Sequence, residues 1–205
     1  MRAVTKLFSV AAVIALSAST VQAQSCLGFA SLGAGRMNIN GVAQFSDGAN
    51  SYGARLNMAH GSNHFIGLNA GVTTHDVGDS DKDVGVSLGW DKKSDDVMWC
   101  PEVGASYAMG GNDVNAFGLM GRVGIAREWT ASSMTWVPFA WGGVMWNKPD
   151  CDGCDGDTNG VFGGGIGVRM SNGVQVSPQL SKSTATGSDV VFGATISIPF
   201  GKKGM

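Results

Sequence analysis

The residues of this 205-residue chain with the widest chemical range are its four cysteines, Cys26, Cys100, Cys151 and Cys154. Four thiols allow three disulfide pairings. Cys151 and Cys154 form a C-x-x-C within "DCDGCDGDTNG". A zinc centre needs about four close ligands, and that spacing supplies only two. The acidic residues of the same stretch suit a hard cation better. Asp155, Asp157 and Asn159 fall at alternate positions before Gly160, as in the first half of a calcium loop. The closing glutamate of such a loop is missing, because its position holds Ile166. Residues 150–160 therefore read as a solvated acidic loop able to hold Ca2+ weakly, and no other cofactor is expected.

The remaining chemistry-bearing residues are sparse. His60, His64 and His75 make no catalytic set, although His60 and His64 flank one turn. "VFGGGIGV" is not a phosphate loop, since no Gly-Lys-Ser/Thr is present and nothing after it reads as a helix. Arg36, Arg55, Asp83, Glu102, Arg122 and Arg169 are scattered along the chain, and only the elements that carry them can bring them together.

Composition narrows those elements. Charged residues make up 15% of the chain, against roughly 25% in ordinary soluble domains. A formal net charge of -2 gives no reason to expect nucleic acid as a partner. Glycine, at 32 residues, disfavours helices and suits short strands with tight turns. The first 23 residues combine a basic start (Arg2, Lys6), an apolar run from Leu7 to Leu16 and a small-residue site at Val21-Gln22-Ala23. They read as a cleaved signal peptide, and four cysteines in an exported chain point to an oxidising compartment.

Beyond it, two-residue alternation predicts ten strands, at about 36–45, 52–60, 64–73, 83–91, 97–109, 116–127, 134–146, 161–170, 174–181 and 189–200. Each approximates the ~9–11 residues a tilted strand needs to cross a bilayer. Polar segments such as "SDGANS" and "THDVGDSDK" follow alternate strands, with tighter turns between. One face carries Ile39, Leu56, Leu68, Val86, Val103, Val123, Ile166, Val176 and their like, with no charge expected on it. The other carries Arg36, Asn38, Asn40, Arg55, Asn57, Asn69, Asp83, Glu102, Arg122, Arg169, Gln175, Gln179 and many glycines. A soluble sandwich would put the apolar face inside, and a membrane barrel puts it outside. Soluble exposed faces are rich in Lys and Glu, whereas this polar face is Gly, Asn, Gln and Ser with a few charges, which fits an enclosed lumen. Trp90, Trp99, Trp129, Trp136, Trp146 and Phe200 fall near strand ends, where barrels keep aromatic girdles. Pro138 and Pro178 fall inside strands and are expected to mark bulges or early ends. The strand "MTWVPFAWGGVMW" is apolar on both faces, so its register stays open.

The signal peptide, the Gly-rich hairpin "NGVFGGGIGVRMSNGVQVSPQLSKS" and the last strand "VVFGATISIPF" resemble the small outer-membrane β-barrel, or porin-like, family. The resemblance covers nearly all of the chain after residue 23. It implies an all-β, closed antiparallel up-and-down transmembrane barrel of ten strands, with eight as the alternative. It also implies a Gram-negative outer membrane, contact with its lipid, and a barrel-assembly machinery that reads the terminal aromatic, here Phe200. The chain departs from the pattern in continuing to Met205. The expected organisation is a signal peptide (1–23), an N-terminal periplasmic segment (24–35), the barrel (36–200) and a tail (201–205).

In that topology Cys26 and Cys100 both fall at the periplasmic end and are expected to pair, pinning the N-terminal segment to the barrel mouth, with Cys151–Cys154 as a local bridge. The inward Arg36, Arg55, Asp83, Glu102, Arg122 and Arg169 are expected to form a lumen charge network that leaves the bore closed or narrow. His75-Asp76 is faintly similar to the chemistry of ten-stranded outer-membrane proteases, which need paired acidic residues and long loops. The expected function is a monomeric structural barrel or narrow passive pore without catalysis. The alternative is a soluble secreted or periplasmic β-sandwich or lipocalin-like binding module.

Overall fold

The structure, a computed structural model, describes residues 25–30, 32, 37–60, 64–94, 97–110, 115–151 and 153–201. A single turn of 3-10 helix (Ser25–Leu27) precedes twelve strands: β1 (Met37–Ser46), β2 (Ala49–His60), β3 (His64–His75), β4 (Asp81–Trp90), β5 (Lys92–Ser94), β6 (Val97–Met109), β7 (Asn115–Arg127), β8 (Trp129–Ala131), β9 (Met134–Pro149), β10 (Asp157–Arg169), β11 (Gln175–Ser183) and β12 (Val191–Phe200). All pairings are antiparallel. β1 pairs β12 from Met37↔Phe200 to Phe45↔Phe192, and β9 pairs β10 along its length. The sheet therefore closes on itself as a meander. β5 continues β4, since Gly89↔Glu102 and Lys92↔Trp99 keep one register. β8 continues β7 in the same way, from Ala126↔Phe139 to Trp129↔Trp136. The wall thus has ten staves, as the alternation predicts, and the strand 97–109 matches at both ends.

The prolines correct one expectation. Pro101, Pro138 and Pro178 neither bulge nor end their strands. Pro138 pairs Ile166 on one side, and the β7–β9 ladder lapses beside it between Ala126 and Trp129. Pro178 pairs Ala194, and the β10–β11 ladder skips from Gly165 to Val168. Pro101 pairs Val123 opposite the break between β4 and β5. Each proline lacks the N–H of one neighbour's bond only, so register survives and the gap stays local.

The faces are inside out relative to a soluble protein. Inward residues such as Asn38, Asn57, Gln175 and Thr195 are fully buried, while the large apolar residues of the outward face stand exposed, Leu68 at 45% and Ile125 at 54%. A lipocalin-like barrel or a sandwich buries the apolar face, so both are excluded. In water this surface would be a large aggregation-prone patch, whereas hydrocarbon solvates it without penalty. Aromatics ring its two edges. At the end where β1 starts and β12 ends stand Trp90, Trp99, Trp129, Trp136 and Phe200, with His64 edge-on to Trp90 at 6.0 Å. At the opposite, loop end, Phe45 meets Tyr52 at 6.2 Å and Phe117 meets Trp146 at 6.4 Å.

The outward face is not free of charge, as the shorter predicted strands implied. The strands extend into the polar segments, and Lys82, Lys92, Arg127, Lys148 and Lys182 fall on outward positions at their ends. Those rims are where a lipid-facing charge costs least. The predicted "SDGANS" loop shrinks to a turn at Asp47-Gly48, because β2 starts at Ala49. Leu68→Arg, in the middle of β3, should destabilise the protein by ~2–4 kcal/mol in urea titrations in lipid vesicles, while Lys82→Arg at the rim should leave the midpoint unchanged.

Candidate functional site

Three of the inward charges meet in the middle of the lumen. Glu102 (β6) and Arg122 (β7) are cross-strand partners, and Arg122 Nε and Nη2 donate to Glu102 Oε2 at 2.8 and 2.6 Å. Arg55 (β2) reaches over β3 and β4 to the other oxygen, Nη2 to Oε1 at 2.7 Å, and also donates to Ser87 Oγ at 2.6 Å. Its path exists because position 67 is glycine: a Cβ there would lie 2.0 Å from Arg55 Nη2. Gly143, opposite Arg122 on β9, is held to glycine by the wall itself, since a Cβ there would lie 2.3 Å from the Gly121 carbonyl oxygen and 2.5 Å from Arg122 Cβ. Phe65 lies beneath Arg55 at 6.0 Å and Trp141 beneath Arg122 at 5.4 Å. One carboxylate thus serves two guanidiniums, all with side chains at 0% exposure, and the aromatic faces take part of the surplus positive charge. Arg55 Nε also donates to Asn57 Oδ1, and Asn57 and Asn40 both donate to Asn38 Oδ1, at 2.9 and 2.8 Å.

The other inward charges stand apart from this group. Arg169 pairs with Glu128 at 2.6 Å near the terminal end, where both side chains are partly exposed. Asp83 meets Asn69 alone, Nδ2 to Oδ2 at 3.4 Å. Arg36 lies outside the described residues.

Against one half of the wall the lumen is occupied by the chain's own N-terminal residues 25–30 and 32. Cys26, Leu27 and Phe29 are at 0% exposure. The expected disulfide joins Cys26 to Cys100, with Cα atoms 5.8 Å apart. Expected as a periplasmic lead-in, the segment instead enters the barrel. The reason lies on β7, β9 and β10, whose inward faces carry Gly124, Ala126, Val137, Phe139, Trp141, Met145, Gly163 and Gly165. This half of the wall presents apolar surface and missing side-chain volume together. Leu27 and the disulfide join Val137, Phe139, Trp141 and Met145 in one apolar cluster. A Cβ on Gly124 would lie 2.4 Å from the Cys26 carbonyl oxygen. The double-sided apolarity of "MTWVPFAWGGVMW" was the visible signal: its even positions face out and its odd positions cover this segment. Polar bonds complete the docking, with Ala30 N donating to Ser197 Oγ at 3.1 Å and Asn38 Nδ2 donating to Ala30 O at 2.9 Å. Asp91 Oδ1 lies 3.1 Å from Cys100 Sγ. Cys26, Asp91 and Cys100 have the proximity of metal ligands, but bonded sulfurs are not thiolates.

At the loop end, Cys151–Cys154 closes a short turn with Cα atoms 5.5 Å apart. Asp155 and Asp157 are exposed beside it, and Asn159 is half-buried at the start of β10. His75 Nε2 contacts Asp81 Oδ2, while His64 lies at the far end of β3 on the outward face, so these two histidines do not converge. Among the described residues, no helix is long and apolar enough to cross a membrane, which does not bear on crossing by strands.

No known family and no curated protein matches the chain in sequence. Solved structures match in shape. The β domain of the Bordetella autotransporter BrkA aligns with TM-score 0.50 at 11% identity, over 80% of this chain and 98% of that one. The N-terminal β-barrel domain of Pseudomonas aeruginosa OprF aligns with TM-score 0.40 at 14% identity, over 82% and 100%. The outer-membrane enzyme PagL aligns with TM-score 0.41 at 13% identity, over 80% and 99%. The chain has the fold of an outer-membrane β-barrel. Within this barrel the central carboxylate holds two buried cations, so its removal leaves both uncompensated. Glu102→Gln should lower stability by ~3–5 kcal/mol in urea titrations, and adding Arg55→Met to it should recover part of the loss.

Proposed function

We propose that the protein is a closed, non-catalytic barrel of a Gram-negative outer membrane, structural in role or at most a narrow passive pore. The observation that carries this reading is the packed mid-lumen. Arg55 and Glu102 are each 1% exposed there and Asn57 is at 0%, with Cys26, Leu27 and Phe29 at 0% against the same wall. A porin needs a continuous water column, and this bore is occupied by an ion-paired layer and a tethered segment. The aromatic rings and the rim lysines match a bilayer in thickness and charge placement. The leader-like first residues and Phe200 closing the last strand fit export and assembly as a monomer, with the terminal end toward the periplasm. His75 is engaged by Asp81, and the central carboxylate is held between two guanidiniums, so neither group reads as a free acid or base.

In planar bilayers at neutral pH the purified protein should give no stable conductance steps. A Cys26→Ser, Leu27→Ala, Phe29→Ala variant, whose segment is neither tied nor packed, should give small steps. Porin-sized conductance from the unmodified protein would refute the closed lumen. A soluble protein whose gel mobility does not change on heating would refute the membrane assignment itself.

A further inference from the structure

Among the described residues, two inward carboxylates stand outside the ion pairs, Asp91 against the disulfide and Asp83 in the loop-end half of the wall. Asp83 is 4% exposed, and Asn69, its neighbour on β3, is 7% exposed. The inward arginines among the described residues are committed elsewhere, Arg55 and Arg122 to Glu102 and Arg169 to Glu128. Lys82 and Lys148 project from the outward face. Among the described residues, the Asp83 carboxylate meets a single donor, Asn69 Nδ2, at the long distance of 3.4 Å. The other end of that amide, Asn69 Oδ1, is buried with no partner. A carboxylate and an orphaned carbonyl oxygen are thus buried side by side with almost no hydrogen to share. Burying acceptors in this way is costly unless something positive lies between them.

Glycines opposite both side chains let them lie flat against the wall with their oxygens close together. Asn69 faces Gly85 and Asp83 faces Gly71 across the β3–β4 ladder. A Cβ on Gly71 would lie 2.5 Å from Asp83 Oδ1, and one on Gly85 would lie 2.8 Å from Asn69 Oδ1. Asp81 lies two residues toward the loop end on the same inward face, in contact with His75. The described turns at that mouth carry Asp47, Asp76, Asp79, Asp150, Asp155 and Asp189, and Lys82, Lys148 and Lys182 stand beside them on the outward face.

We propose that Asp83 and Asn69 Oδ1 bind a hydrated hard cation in the loop-end half of the lumen, with Asp81 toward the loop end on the same inward face. All the donors are oxygens, which selects Ca2+ or a similar ion over softer metals. Water completes the shell, so affinity is modest. The site is separate from the exposed Asp155, Asp157 and Asn159.

The test is calorimetric titration of CaCl2 into the full chain in detergent micelles, with heat-modifiable gel mobility confirming folding of each variant. One saturable site is expected, weakened about tenfold or more by Asp83→Asn and unaffected by Asp155→Asn/Asp157→Asn. If Asp83→Asn does not fold, Asn69→Ala carries the test, with an expected loss of about threefold or more. The proposal is overturned by absence of saturable heat, by unchanged binding in the Asp83 or Asn69 variant, or by loss of binding in the loop variant. It is equally overturned if the unmodified protein ignores Ca2+ while Asp83→Asn melts higher, since the carboxylate is then neutralised by a proton.

Discussion

A hydrocarbon surround offers no partner for a backbone N–H or C=O, and this one constraint governs the rest of the fold. A sheet in lipid must pair both edges, so β12 has to meet β1 along its whole length. Closure then divides every strand between two solvents. Odd and even positions cannot be exchanged, because a one-residue slip would send Arg55 or Glu102 into lipid. The ladder gaps beside Pro101, Pro138 and Pro178 show the limit of what closure tolerates. Each removes bonds toward one neighbour while the other neighbour holds the register.

Closure also creates the problem that the lumen solves. About eight strands give a bore that wall side chains can fill, and ten enclose more. One half of this wall answers with long polar and charged residues laid across glycines, as Arg55 lies across Gly67. The half built from β7, β9 and β10 has glycines and apolar residues and is completed by residues 25–30. The barrel thus contains a small soluble-type core, Leu27 against Val137, Phe139, Trp141 and Met145, inside an inside-out shell. The Cys26–Cys100 bond removes freedom that the segment would otherwise have in the unfolded chain.

The shell was legible from the sequence because its rule has period two and repeats in every strand. Thus 97–109 could be placed to the residue, and Asn38, Arg55, Glu102 and Gln175 could be assigned inward. Strand ends were less legible, since beyond the lipid band both faces are polar and the alternation carries no signal. Ala49 and Asp157 therefore carry no strand signal of their own, although β2 and β10 start there. The partners of the charges were not legible at all. Nothing local joins Arg55 to Glu102, 47 positions away, because the pairing depends on Gly67 and Ser87 lying between them in the closed wall. The docked segment had a trace, the two-sided apolarity of 134–146, but period-two reading has no category for a strand whose inner face meets another part of its own chain.

These separate features are joined at the seam. Ala30 of the segment bonds Ser197 on β12, and Ser197 bonds Asn40 on β1. Asn38 holds the Ala30 carbonyl and accepts from Asn57, which accepts from Arg55, which holds Glu102. The closing strand pair, the docked segment and the central ion pair therefore form one hydrogen-bonded network. None of its members is well placed before the others. An open seam would leave Asn40 without Ser197, and an empty lumen would leave Asn38 without the Ala30 carbonyl. Buried polar groups of this kind are favourable when fully satisfied and costly when half satisfied. The network thus favours the closed wall with residues 25–30 docked inside it over any partly assembled form.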